Sequence, residues 1–179
     1  MTNTFTACYG KPLELEKAVD KDPSEVKNKV ELGNTYYAIS MHYYMRQDMK
    51  EMETYAGKSR ELYLEALDDG LKEPGVTLNV ALLALLKGDE TQAEKYFKET
   101  LELEETNPDA HLYLGSLMYS RGKEDEAIIH WERALELAED GSPVAQTAGY
   151  YLDLSKEDEG SQSNTAGEGS QSGTDESSQ

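Results

Sequence analysis

The chain has 179 residues, with 36 Asp and Glu against 17 Lys and Arg, and a net charge of −19 at neutral pH. That balance argues against a nucleic-acid partner, which demands a cluster of cations the chain lacks. A single cysteine, Cys8, excludes an internal disulfide framework, and no stretch approaches the roughly 20 apolar residues of a membrane span.

Residues 1–21 carry Leu13, Leu15, Ala18 and Val19, which suit either a short helical turn or an arm lying on the first helical pair. The first ten residues have neither the basic start nor the apolar core of a secretory signal, so a cytoplasmic location is the expectation. The alternative lies in Phe5-Thr6-Ala7-Cys8, which looks like the end of a bacterial lipoprotein cleavage site without its hydrophobic region. A native start further upstream would then make the protein an envelope lipoprotein anchored at Cys8. Asp22-Pro23-Ser24-Glu25 reads as a helix start, with Asp22 as cap, Pro23 at the first helical position and Glu25 closing a capping box. The helix bears Val26, Val30, Leu32, Tyr36, Tyr37, Met41, Tyr44 and Met45 and runs to about Gln47. A second helix continues through Met49, Met52, Tyr55, Ser59, Tyr63, Ala66 and Leu67 to Asp69-Gly70.

Pro74-Gly75 opens another helical pair that turns at Gly88 and closes around Glu104. Asn107-Pro108 opens a third. Its first helix places Leu114, Leu117 and Met118 at helical spacing beside the small Gly115, and Gly122 supplies the turn. Its second carries an apolar stripe of Ala127, Ile128, Trp131, Ala134 and Leu135, ending near Asp140-Gly141. Ser142-Pro143 starts one more helix, 143–155, with Val144, Ala148, Tyr151 and Leu152. Residues 156–179 contain no large apolar side chain and read as a disordered acidic tail.

These pairs repeat. Moving back 34 positions takes Gly122 to Gly88, Ala127 to Ala93, Trp131 to Phe97, Leu135 to Leu101 and Gly115 to Ala81. A second step takes Phe97 to Tyr63 and Leu101 to Leu67. The interval from Gly115 to Ala127, and from Ala81 to Ala93, is 12 residues, whereas Gly33 to Ser59 spans 26. The insertion contains neither Gly nor Pro and keeps helical spacing through Met45, Met49 and Met52. It predicts a first hairpin about two turns longer on each side.

The period and pattern resemble the tetratricopeptide repeat, W-x2-L-G-x2-Y then A-x3-F. In the third unit Leu114-Gly115, Ala127 and Trp131 match, with His111 in place of the Trp and Met118 in place of the Tyr. Ala93 and Phe97 match in the second, and Leu32-Gly33, Tyr36 and Tyr63 in the first. The resemblance covers about residues 22–155. It implies an all-α fold, a right-handed α-solenoid of three hairpins (22–70, 74–105, 108–140) with a capping helix at 143–155. It also implies that the first helix of each pair lines a concave, partner-binding face. On this chain that face carries Val30, Asn34 and Tyr37, then Leu78, Leu82 and Leu85, then Leu112, Ser116 and Tyr119, with Tyr150 beyond. The clamp by which some relatives hold a carboxylate terminus is absent: Val30 stands where its Lys belongs and Leu82 where its second Asn belongs. An apolar groove suits an amphipathic helix or apolar peptide.

A second candidate surface is the long hairpin, where Met41, Met45, Met49 and Met52 gather with Tyr44; adaptable Met recurs on permissive binding surfaces. The competing reading is that they zip the two helices together. His42, His111 and His130 share no short ligand spacing, Cys8 is remote, and the glycines stand singly at turns, so no enzyme, metal or cofactor is expected. The functional expectation is a non-enzymatic scaffold for another protein, held in the groove, on the hairpin, or both. A self-assembling homo-oligomer and an envelope-anchored scaffold are the alternatives.

Overall fold

A computed structural model describes residues 12–165, with side chains to Lys156. Among the described residues there are eight helices and no strand: α1 (Pro12–Lys21), α2 (Val26–Met45), α3 (Met49–Asp68), α4 (Pro74–Leu86), α5 (Glu90–Leu103), α6 (Pro108–Ser120), α7 (Glu124–Leu137) and α8 (Pro143–Thr165). The fold is all-α, a succession of helical hairpins of the solenoid class. It divides into two compact units, residues 1–110 and 111–179.

In the first unit α2 and α3 are 20 residues each, against 13 for α4 and 14 for α5. The long interval from Gly33 to Ser59 is therefore helix on both sides, about two turns each. The turn between the helices keeps the same hydrogen bonding in both hairpins. The Gly88 N–H reaches the Leu85 carbonyl and the Asp89 N–H reaches that of Ala84, both at 2.9 Å. In the long hairpin Gln47 and Asp48 do the same toward Tyr44 and Tyr43, at 2.9 and 3.0 Å. This is a helix end closed by a left-handed residue, and Gln47 adopts φ 60° where the others have glycine. Asp48 and Asp89 then cap α3 and α5, accepting from the N–H groups of Glu51 and Gln92.

The hairpin cores are built on one aromatic each. Tyr63 and Phe97 are fully buried in the first unit, and Trp131 is buried in the second. Gly33 makes room for Tyr63, since a Cβ there would lie 2.7 Å from its ring. In the second unit Gly115 does the same for Trp131, at 2.5 Å. Behind Trp131, α8 packs Ala148 and Leu152 and stacks Tyr151 on the indole with centroids 4.9 Å apart. This is the capping helix the sequence predicts, started by Ser142, whose hydroxyl accepts from the Ala145 N–H at 3.2 Å.

Two boundaries differ from the sequence reading. The first long helix starts at Val26, not Pro23, with Glu25 as its cap. The Asp22 carboxylate instead accepts the Ser24 N–H and hydroxyl at 3.2 and 2.7 Å, folding Asp22–Glu25 into a turn. Those two bonds also lower the Asp22 pKa. The last helix runs to Thr165 rather than ending near residue 155. Nothing there breaks a helix as proline would, and a helix satisfies its own backbone bonds without an apolar face. Cys8, the rest of the expected arm before Pro12, and the tail from residue 166 onward lie outside the described residues.

α1 is the arm lying on the first hairpin. Leu15 and Val19 pack against the cluster of Leu32, Tyr36 and Ile39, and the Tyr36 hydroxyl donates to Glu16.

Candidate partner-binding surfaces

On the first unit, α2 and α4 present the expected side chains. Asn34 is exposed, while Val30, Tyr37, Leu78, Leu82 and Leu85 are half-buried. The described arm residues Leu15 and Val19 pack on the Leu32–Tyr36–Ile39 side of α2. A polar line crosses this face. The Tyr63 hydroxyl donates to Asn34 Oδ1 at 2.6 Å and accepts from Asn79 Nδ2 at 3.2 Å, tying α2 to α4 through α3. Burial pushes the Tyr63 phenol up to about 12, so it stays protonated and keeps donating at neutral pH.

In the second unit Leu112 is only 6% exposed, and it belongs to the core rather than to a surface. A residue on the first helix of a pair can turn toward its own hairpin as readily as toward a groove, and here packing wins. Ser116 is half-buried with its hydroxyl returned to the Leu112 carbonyl at 3.1 Å. Tyr119 and Tyr150 are both exposed; their rings lie beside Trp131 and Tyr151, at 5.5 and 5.8 Å.

The long hairpin separates its methionines. Met52 is 3% exposed and belongs to the packed seam, as the zip reading has it, and Met41 is half-buried. Met45 is 83% exposed, and Met49 and Tyr44 are also largely in solvent. The seam itself is aromatic: Tyr43 stacks on Tyr55 at 5.7 Å, and Tyr36 stands at 5.7 Å from the same ring.

Three features escape a reading of the sequence. Lys29 is almost fully buried on α2, with its ammonium 2.7 Å from Asp69 and 3.3 Å from Glu65. The hydrogen bond to Asp69 is the main cause of its raised pKa. His111 and His130 meet across their hairpin with Nδ1 atoms 3.0 Å apart. Among the described residues, no group of three or more His, Cys, Asp or Glu is placed to hold a metal ion. The third feature is Asn79, whose role depends on a tyrosine hydroxyl 16 positions away. For these, the only sequence signal is a polar residue interrupting an apolar helical stripe.

A tetratricopeptide-repeat family model matches residues 84–149, just over a third of the chain. The hairpin before that segment repeats its pattern of one buried aromatic beside a small residue, Tyr63 against Gly33. Residues 84–149 are a tetratricopeptide-repeat segment. The photosystem I assembly protein Ycf3 of Cyanophora paradoxa is 26% identical over 121 aligned residues, covering 58% of this chain and 70% of Ycf3. Among solved structures, the repeat protein TTC0263 of Thermus thermophilus superposes with a TM-score of 0.61 at 22% identity, covering 79% of this chain and 71% of that one. A MamA protein superposes with a TM-score of 0.67 at 17% identity, covering 87% and 76%. These structures share the fold. No helix among the described residues of the repeat protein is long and apolar enough to cross a membrane.

Proposed function

We propose that this protein is a non-enzymatic scaffold that holds a segment of another protein on the face formed by α2 and α4. Repeats of this family serve protein–protein interaction in general. The observation that carries the specific reading is that face of the first unit. Leu78, Leu82, Leu85, Val30 and Tyr37 offer partly open apolar surface, and the Asn34–Tyr63–Asn79 line offers carboxamides already oriented by a buried phenol. An apolar strip with a few fixed polar groups suits an amphipathic segment, anchored by its apolar side chains and aligned by its polar ones. In the second unit, Tyr119 and Tyr150 form a separate aromatic surface open to contact, with Ser116 nearby in sequence. We place the protein in the cytoplasm.

Ycf3 is an assembly protein, and its likeness favours one refinement: this chain holds its partner while a larger complex is built. Self-assembly through Met45, Met49 and Tyr44 is the second reading, favoured by their exposure at the end of the long hairpin. Affinity capture from the native source tests the two together. Leu82→Glu should remove the captured partner and leave the helical circular dichroism unchanged, whereas Met45→Glu should leave capture intact. Capture that survives Leu82→Glu and fails with Met45→Glu would transfer the function to the hairpin.

A further inference from the structure

In two of the hairpins a glycine on the first helix receives the aromatic of the second. Gly33 meets Tyr63 in this way and Gly115 meets Trp131, with ring atoms 2.7 and 2.5 Å from where a Cβ would stand. Gly149 on α8 lies 34 positions after Gly115. Apart from its chain neighbours and the backbone of its own helix, no described atom lies within 4 Å of its Cβ position, so this side of α8 is open. The local sequence accounts for it. Lys156 stands 34 positions after Gly122, the left-handed glycine that closes α6, and at that place α8 runs on to Thr165 instead of turning back. After Tyr151 the chain has no aromatic residue that a returning helix could supply. α8 is thus the first helix of a pair without its second. Leu135 on α7 fits this: it is 41% exposed, whereas Leu101 and Leu67, its equivalents in the earlier pairs, are half-buried.

We propose that α8 docks a basic amphipathic helix of another protein, which lays one aromatic side chain against Gly149 as α7 lays Trp131 against Gly115. The chemistry of the occupant follows from the chain's own second helices. Each sets a small residue four positions before its aromatic: Ala127 and Trp131, Ala93 and Phe97, Ser59 and Tyr63. Glycine at the contact lets a ring come close to helix backbone, and an aromatic ring brings a large buried area to it. A second copy has no such helix to offer, because Tyr63, Phe97 and Trp131 are all buried in their own hairpins. Like charge also opposes a second copy, at −19 per chain. Residues 157–179, which follow directly on Lys156, carry Glu157, Asp158, Glu159, Glu168, Asp175 and Glu176 and neither Lys nor Arg. Charge complementarity therefore selects a helix that is basic on its outer side. The site lies on α8 and stands or falls separately from the α2–α4 face.

The full chain labelled with ¹⁵N-glycine and followed by NMR tests the proposal. The probe is a synthetic peptide of residues 123–138, the α7 sequence, carrying Asp125→Lys, Glu132→Lys and Glu136→Lys. The Gly149 amide, assigned by its loss in Gly149→Ala, should shift saturably while that of Gly115 stays fixed. The same peptide with Trp131→Ala should bind at least about tenfold more weakly. The unmodified α7 peptide, acidic on its outer side, should also bind more weakly, with the gap widening at low salt. Gly149→Ala should weaken the basic peptide at least about tenfold, since its methyl takes the place of the ring. The urea midpoint of the free variant should be unchanged or raised, because alanine favours helix. No Gly149 shift, equal binding of any of these peptides, undiminished binding to Gly149→Ala, or a lowered midpoint would each overturn the proposal. So would self-association of the full chain that Gly149→Ala abolishes, which would make the occupant a second copy.

Discussion

Gly115 has no space for a methyl group. A Cβ there would lie 2.5 Å from Trp131 Cδ1 and Nε1 and 3.0 Å from the Ala127 carbonyl, which is backbone and cannot step aside. Gly115→Ala should therefore destabilise the protein, by about 1–3 kcal/mol if the indole shifts without leaving the core. Urea denaturation measures this, and an unchanged midpoint would contradict the packing described. Tyr63 supplies a second test at this scale. Its pKa rises from the ordinary 10.0 to about 12, first because of burial. A group that holds its proton more tightly when folded contributes stability that is complete below pH 10 and is lost as the pH climbs toward 12. In an ultraviolet titration, Tyr63→Phe should remove absorbance change from the alkaline end of the curve and leave the part near pH 10 unaltered. Loss near pH 10 would mean the phenol is open to water. The sequence shows Gly33 and Gly115 as small residues beside an aromatic because both recur with the repeat. It does not show Lys29 paired to Asp69, because a lysine in a helix usually runs its stem along the surface and the partner lies 40 positions away.

Helix ends repeat more faithfully than helix lengths. Gly88 and Gly122, and Gln47 in the long hairpin, all occupy left-handed backbone and close their helices with the same pair of bonds. A side chain at positive φ costs roughly 1–2 kcal/mol, partly offset by the greater freedom glycine loses on folding. Gln47→Gly should accordingly stabilise the protein by about 1 kcal/mol, seen as a higher thermal midpoint. A lower midpoint would mean the glutamine side chain makes a compensating contact. The length of the first hairpin was legible because its extra residues kept helical spacing and lacked Gly and Pro. Two element boundaries were not legible, for opposite reasons. Asp22 spends its carboxylate on Ser24 in a turn, and α8 continues past Lys156 on backbone bonds that leave no mark in the apolar pattern.

For the molecule as a whole, period and charge establish different things. The 34-residue period is enough for the hairpins, because each pair buries one aromatic at the equivalent position. The net charge of −19 directs attention away from nucleic acid and toward protein partners. The candidate surface was only half legible. Val30, Asn34, Tyr37, Leu78, Leu82 and Leu85 keep open surface, whereas Leu112 and Met52 are absorbed into the core, since periodicity gives a residue's face but not what covers it. Photo-crosslinking from positions 37 and 82, each replaced in turn by p-benzoylphenylalanine, is the most direct measurement. If α2 and α4 hold one partner segment, both positions should label the same short stretch of a single other protein. Labelling only from position 45, or only of further copies of this chain, would contradict it.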